Sequence, residues 1–215
     1  MNQADKNVAS SSDKTAKAQF WNRVQIIMIF LVFAAPVVGA FLYKPNKFNN
    51  YGDIYSPVRV VENLSLQGAD GVLELDSFRR QWIFLITASG QCGEACENNL
   101  LKIRQLRFMQ NNNMTRIRPV FIHTGLSEAV ADDLRAKYAP VESYAVDKAA
   151  YDQWTKVLRL DNVPEEAQQD RFYVIDPAGN LMLSYPATAE PVCKPESKQC
   201  IQKDIKRLLK TSQIG

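Results

Sequence analysis

From Val24 to Tyr43 the chain reads VQIIMIFLVFAAPVVGAFLY, an apolar run with no charge and one amide, Gln25. About twenty residues at about 1.5 Å rise span about 30 Å, the thickness of a bilayer core. Trp21 and Tyr43 flank the run, where amphipathic rings prefer the interface. Pro36 is tolerated in a spanning helix and can kink it. The run is longer than the apolar core of a signal peptide, and Lys44-Pro45-Asn46 follow it instead of a small-residue cleavage site. The pattern predicts one retained transmembrane helix over 21–43. Lys6, Lys14, Lys17 and Arg23 precede it, against Lys44 and Lys47 just after. The positive-inside rule then puts the N-terminus in the cytoplasm and everything after the helix outside. In a bacterium this is a single-pass inner-membrane protein with a periplasmic domain. Residues 1–20 are polar and read as a disordered cytoplasmic tail. Residues 44–60 are rich in Pro, Asn, Gly and Tyr and read as a linker.

Beyond the linker, hydrophobic runs of two kinds alternate. Gly71–Leu75, Gln81–Thr87, Ile117–Ile122 and Arg171–Ile175 read as strands, and Glu142–Val146 as a short strand or a loop. QWIFLIT and IRPVFI are continuous apolar runs, the mark of strands buried on both faces. Ala95–Asn111, Ser127–Tyr138 with Ser127 as N-cap, Ala149–Leu160 and Ile201–Lys210 carry helical periodicity. Asp176-Pro177-Ala178-Gly179-Asn180 turns the chain into a returning strand, Leu181–Tyr185. Buried parallel strands with crossover helices, closed by an antiparallel hairpin, describe an α/β domain over 61–215 with a mixed sheet. A strand that runs straight into a Cys-containing helix start suggests the thioredoxin-like fold.

Composition narrows the chemistry. The 215 residues are 46% hydrophobic and 23% charged, with a formal net charge of +3. A wholly disordered chain and a polytopic membrane protein are both excluded by that mixture. No Lys/Arg stripe with interleaved aromatics stands out, which argues against nucleic acid as a partner. The single His, His123, excludes multi-His zinc sites and most haem schemes. Four cysteines in two close pairs carry the remaining information.

Cys92-Gly93-Glu94-Ala95-Cys96 follows QWIFLIT through the turn ASGQ. A spacing of four brings both sulfurs to one face of the helix start, close enough for a disulfide or a shared metal. Free amides and the positive end of the helix dipole stabilise thiolates there. A depressed pKa would make Cys92 the nucleophile and a soft-metal ligand, with Cu(I) favoured over hard ions. A purely structural disulfide is the other reading. Glu94 and Glu97 are solvated helix-start acids or, alternatively, proton shuttles. His123 ends a neighbouring strand, whose C-terminal end should share a sheet edge with the pair. It is a candidate third ligand, or only a strand-end residue bonded to the backbone. Cys193 and Cys200 bracket KPESKQ and read as a structural disulfide, with a resolving or metal-relay role as the alternative.

An anchor, a strand, Cys-three-residues-Cys on a helix, the IDPAGN hairpin and the closing IQKDIKRLLK helix together resemble the Sco family of cytochrome c oxidase assembly proteins. The likeness spans roughly residues 60–210. It implies a thioredoxin-like fold, copper bound through two such cysteines and a distal His, and a respiratory oxidase subunit or other assembly factors as partners. The family's copper-binding His precedes the strand leading to the Asp-Pro turn, where this chain has Glu165-Glu166-Ala167-Gln168-Gln169-Asp170-Arg171. Only Cys92 and Cys96 therefore carry over. The expected function is a membrane-anchored assembly factor that handles copper, or the thiols of a copper site. A general membrane-tethered thiol–disulfide oxidoreductase and a non-catalytic scaffold are the alternatives.

Overall fold

The computed structural model describes residues 3–42, 50–61, 66–68, 71–73, 80–196 and 199–212. The chain divides into two units, Met1–Asn49 and Asn50–Gly215. The first is one helix, α1, Gln3–Leu42. Within it, Trp21–Gly39 is long and apolar enough to cross a membrane, with none of that stretch buried against protein. Tyr43, the expected outer end of the span, lies outside the described residues. The helix also takes in residues 3–20, which corrects the expected disordered tail. The physical reason is local: that segment holds several Ala and Lys and neither Gly nor Pro, so nothing in it stops the helix from extending backwards.

In the second unit a six-stranded mixed sheet carries helices on its faces. Its strands are β1 (Asp53–Val60), β4 (Trp82–Ser89), β5 (Ile117–Thr124), β6 (Glu142–Ala145), β7 (Phe172–Ile175) and β8 (Asn180–Tyr185), in the order β1-β8-β7-β4-β5-β6. β4, β5 and β6 are parallel, and β7, β8 and β1 are antiparallel to their neighbours. A separate hairpin pairs β2 (Leu66–Gly68) with β3 (Gly71–Leu73). Residues 74–75 of the expected first strand lie outside the described residues. The helices are α2 (Glu94–Phe108), α3 (Glu128–Lys137), α4 (Lys148–Leu158) and α5 (Ile201–Thr211).

β1 corrects the expected linker over 44–60. Its residues looked loop-like because Pro57 interrupts them. In the structure Pro57 sits in an edge strand whose register against β8 shifts between Ile54 and Arg59. A proline's missing N–H is harmless at such an irregular edge. Tyr55 buries its ring here and donates its hydroxyl to the Leu158 carbonyl at the end of α4.

Alternation along the central strands splits the core in two. Trp82, Phe84, Ile86 and Ala88 pack with Phe121 against Leu100, Ile103 and Leu106 of α2 and Ile201, Ile205 and Leu209 of α5. Ile83, Leu85, Val120 and Ile122 pack on the other face with Trp154 and Leu158 of α4. The two strands that lead to the site are thereby fixed from both sides. Asp176 folds the β7–β8 hairpin by accepting from the amides of Ala178 (2.9 Å) and Asn180 (2.8 Å).

Candidate functional site

β4 ends at Ser89, and the chain turns at Gly90, which has a φ of +79°. A side chain there would be strained, so glycine lets the strand break off sharply. The Gly90 amide donates to the Thr124 carbonyl at 2.8 Å, which ties the turn to the end of β5. Cys92 follows, half-buried, and α2 begins two residues later with Gly93 as N-cap. Cys96 lies in the first turn of α2 and is 2% exposed. The two cysteines form a disulfide, with Cα atoms 5.2 Å apart. One sulfur thus belongs to a residue that solvent reaches, and the other to a sealed one. First-turn amides that lack intrahelical acceptors lie beside them.

Glu97 is not a free helix-start acid. It accepts from Lys137 Nζ (2.5 Å) and the Tyr138 hydroxyl (2.6 Å) at the end of α3. Those two donors hold its carboxyl below the usual range, so it stays a carboxylate and ties α2 to α3.

His123 stands opposite Ala88 in the β4–β5 register, at the sheet edge expected for it. It is 2% exposed, its ring lies 5.2 Å from that of Phe121, and neither ring nitrogen has a hydrogen-bond partner. Burial, with help from Arg135, pushes its pKa down. Among the described residues no three His, Cys, Asp or Glu side chains come together as a metal group. His123 as a third ligand stays an expectation: the structure puts it at the sheet edge predicted for it and assembles no three-residue donor group there among the described residues. Sequence placed it at the right edge, and the structure adds that its ring is buried against Phe121. The two cysteines are joined to each other, and among the described residues no third donor is assembled with them.

On the α4 side of the sheet a cleft of about 600 Å³ reaches Gln91, the residue before Cys92, with neither cysteine in its lining. Ser89 and Gln91 form the rim that leads to Cys92, Tyr151 and Lys156 one wall, and Gln169 and Asp170 the other. That second wall is held firmly. Gln168 accepts from the Leu160 amide (3.0 Å) and donates to the carbonyls of Leu160 (2.6 Å) and Val163 (2.7 Å). Arg171 donates to the Ala167 carbonyl at 2.8 Å and pairs with Asp53. Asn99 of α2 donates to the Asp170 carbonyl at 2.6 Å, linking the cysteine-bearing helix to the same segment. Sequence reasoning passed over Asn99, Gln168 and Asp170. The available signal was a polar Asn99 on the buried face of α2, beside Cys96, Leu100 and Ile103.

Cys193 and Cys200 are also joined, with Cα atoms 5.0 Å apart. Cys200 is the N-cap residue of α5, and the helix start is tied to the segment before the loop, where Ile201 donates to the Glu190 carbonyl at 3.1 Å. This pair closes a loop, whereas Cys92–Cys96 opens a helix beside a cleft.

Comparison with solved structures confirms the fold. Yeast Sco1 with copper bound matches with a TM-score of 0.54 at 13% identity, covering 77% of this chain and 96% of that one. The apo Sco1 protein of Thermus thermophilus matches with a TM-score of 0.51 at 15% identity, covering 66% and 90%. At such identities the likeness is one of fold. No curated protein matches the chain. A family pattern does, over residues 82–212, the stretch that holds β4, both cysteine pairs and the hairpin. By that match the chain belongs to the family of the transmembrane-like, thioredoxin-like, C-terminal domain.

Proposed function

We propose that this chain is a membrane-anchored thiol–disulfide exchange protein, with a cytoplasmic N-terminus and a thioredoxin-like domain that serves clients across the membrane. The observation that carries the reading is the asymmetric Cys92–Cys96 disulfide at the first turn of α2, beside a polar cleft. In the reduced protein the Cys92 thiolate attacks one sulfur of a client disulfide. A mixed disulfide forms and one client thiolate leaves. The Cys96 thiolate then attacks Cys92 Sγ, the second client thiolate leaves, and the pair ends as a disulfide. Two electrons pass to the client, and the reverse sequence oxidises a client dithiol. The amides at the start of α2 favour Cys92 as the attacking and leaving group.

The Sco likeness supplies the client class: the cysteine pair of a respiratory oxidase's copper site, which must be reduced before it takes metal. Copper would reach this chain as cargo, and the described residues assemble no third donor to carry it. Thiol exchange therefore stands ahead of copper carriage.

The test is a pair of full-chain variants expressed in a strain with a tagged oxidase subunit. Cys96→Ser is expected to accumulate a mixed disulfide with its client, visible on a non-reducing gel, and Cys92→Ser is expected to form none. Both should lower the oxidase activity of the membranes. Full complementation by the double Ser variant would overturn the reading and leave a scaffold.

A further inference from the structure

Asn99 is 0% exposed in the structure, and its Oδ1 has no hydrogen-bond partner. The orientation of its amide is set by its neighbour: the Asp170 carbonyl only accepts, so Nδ2 must face it, and Oδ1 is the end left over. A buried, unpaired carbonyl oxygen costs free energy, and native proteins rarely leave one without a role. Asn99 lies three residues after Cys96 on the buried face of α2. Residues at that spacing are neighbours, and a helical side chain leans back over the turn that precedes it. The orphan oxygen therefore belongs to the surroundings of Cys96, itself 2% exposed.

In the disulfide state Cys96 has no proton to offer. In the dithiol state it has one, in a site sealed from water. We propose that Asn99 Oδ1 is the acceptor for the Cys96 S–H in the reduced protein, so that one polar atom is unpaired when the pair is oxidised and paired when it is reduced. Reduction by a dithiol reagent breaks the Sγ–Sγ bond with two electrons. The reagent gives up two protons as it becomes a disulfide. One is kept by Cys96 and shared with Oδ1, and the other goes to solvent as Cys92 leaves as thiolate. Asn99 is a positioning residue with two ends: Nδ2 fixes the cleft wall at Asp170, and Oδ1 keeps the proton on the resolving cysteine. It makes the pair easier to reduce and directs nucleophilicity to Cys92. The inference rests on the reading of Cys92–Cys96 as a redox pair.

The test is the equilibrium between full-length protein in detergent micelles and a dithiol of known potential, followed by alkylation of free thiols and mass measurement. Asn99→Leu removes the orphan from the oxidised state and the acceptor from the reduced one. Both effects favour the disulfide, so the exchange constant is expected to move about tenfold in that direction, equal to about 30 mV for a two-electron couple. Asn99→Gln, which keeps an amide with one end to accept and one to donate, should recover part of the shift. A constant within twofold of the wild type in Asn99→Leu would overturn the proposal.

If Asn99→Leu does not fold, the wild-type protein decides. With Asn99 labelled at ¹³Cγ, reduction should move the resonance downfield as Oδ1 gains a donor, and an unmoved resonance overturns the proposal. Neither readout uses a client. A shifted constant in a protein that traps no client would sink the exchange function and leave this inference standing.

Discussion

A buried imidazole with no partner for either nitrogen cannot hold a proton cheaply. His123 is in that position, and burial together with Arg135 lowers its pKa. A base whose folded pKa lies below its unfolded value of about 6.5 binds more protons when the chain unfolds. Its contribution to stability is complete above about pH 6.5 and is lost as the pH falls from there through the folded pKa. The urea midpoint of the full chain in detergent is thus expected to drop from pH 7 to pH 5.5, and His123→Leu should flatten that slope. An equal slope in the variant would assign it to other groups. Asp204 tests the opposite kind of buried group, one whose partners are all present. It is 4% exposed and accepts from the amides of Tyr51 (2.7 Å) and Gly52 (3.1 Å) and from the Tyr185 hydroxyl (3.3 Å). Asp204→Ala would leave two backbone donors unpaired, so a loss of about 3 kcal/mol is expected in chemical denaturation. The sequence showed Cys92 and Cys96 as a site because both the signal and the chemistry are local. It did not show His123's isolation, the Asp204 clamp or the Asn99 amide, which depend on partners far along the chain.

At the scale of elements, period and punctuation located the α-helices and, with β6 left between strand and loop, the strands of the sheet from β4 onward; the short 3-10 turns at 111–116 and 165–167 were not seen. The reason is that β4 and β5 are buried on both faces and α2 to α5 have distinct apolar faces, so burial wrote the pattern. β1 escaped because an edge strand with a register shift needs no such pattern, and Tyr55 is its one buried side chain. Just before β1, Tyr51 accepts from the Glu190 amide at 3.1 Å, which ties the start of the domain to the segment leading into the Cys193–Cys200 loop. That loop is short, and in the chain-entropy account a bridge of this span contributes about 2–3 kcal/mol. The double variant Cys193→Ser/Cys200→Ser is expected to lose that amount in urea denaturation while Cys92–Cys96 still exchanges with a dithiol. Loss of exchange in a folded double variant would give the second pair a part in the electron path.

For the molecule as a whole, the open matter is which side of the membrane the disulfides face. α1 has 40 residues, about 60 Å of helix and about twice the thickness of a bilayer core, so only part of it is needed for the span. The apolar stretch Trp21–Gly39 lies in its second half, and Lys6, Lys14, Lys17 and Arg23 lie at or before its start. Both cysteine pairs of the second unit are disulfides, and such bonds persist in oxidising compartments. The proposed orientation, with the basic residues in the cytoplasm and the sulfurs outside, draws on both charge and sulfur chemistry. Together they make a joint prediction. Phe30→Arg, near the middle of the span, adds an insertion cost of about 2.5–3.5 kcal/mol and should lower the fraction of protein that resists alkaline extraction from membranes. Chains that fail to insert stay in the reducing cytoplasm, so the same variant should raise the fraction of thiols open to alkylation. A variant that leaves the membrane with both pairs still oxidised would separate the two lines of argument and remove the disulfides as support for an outward-facing domain.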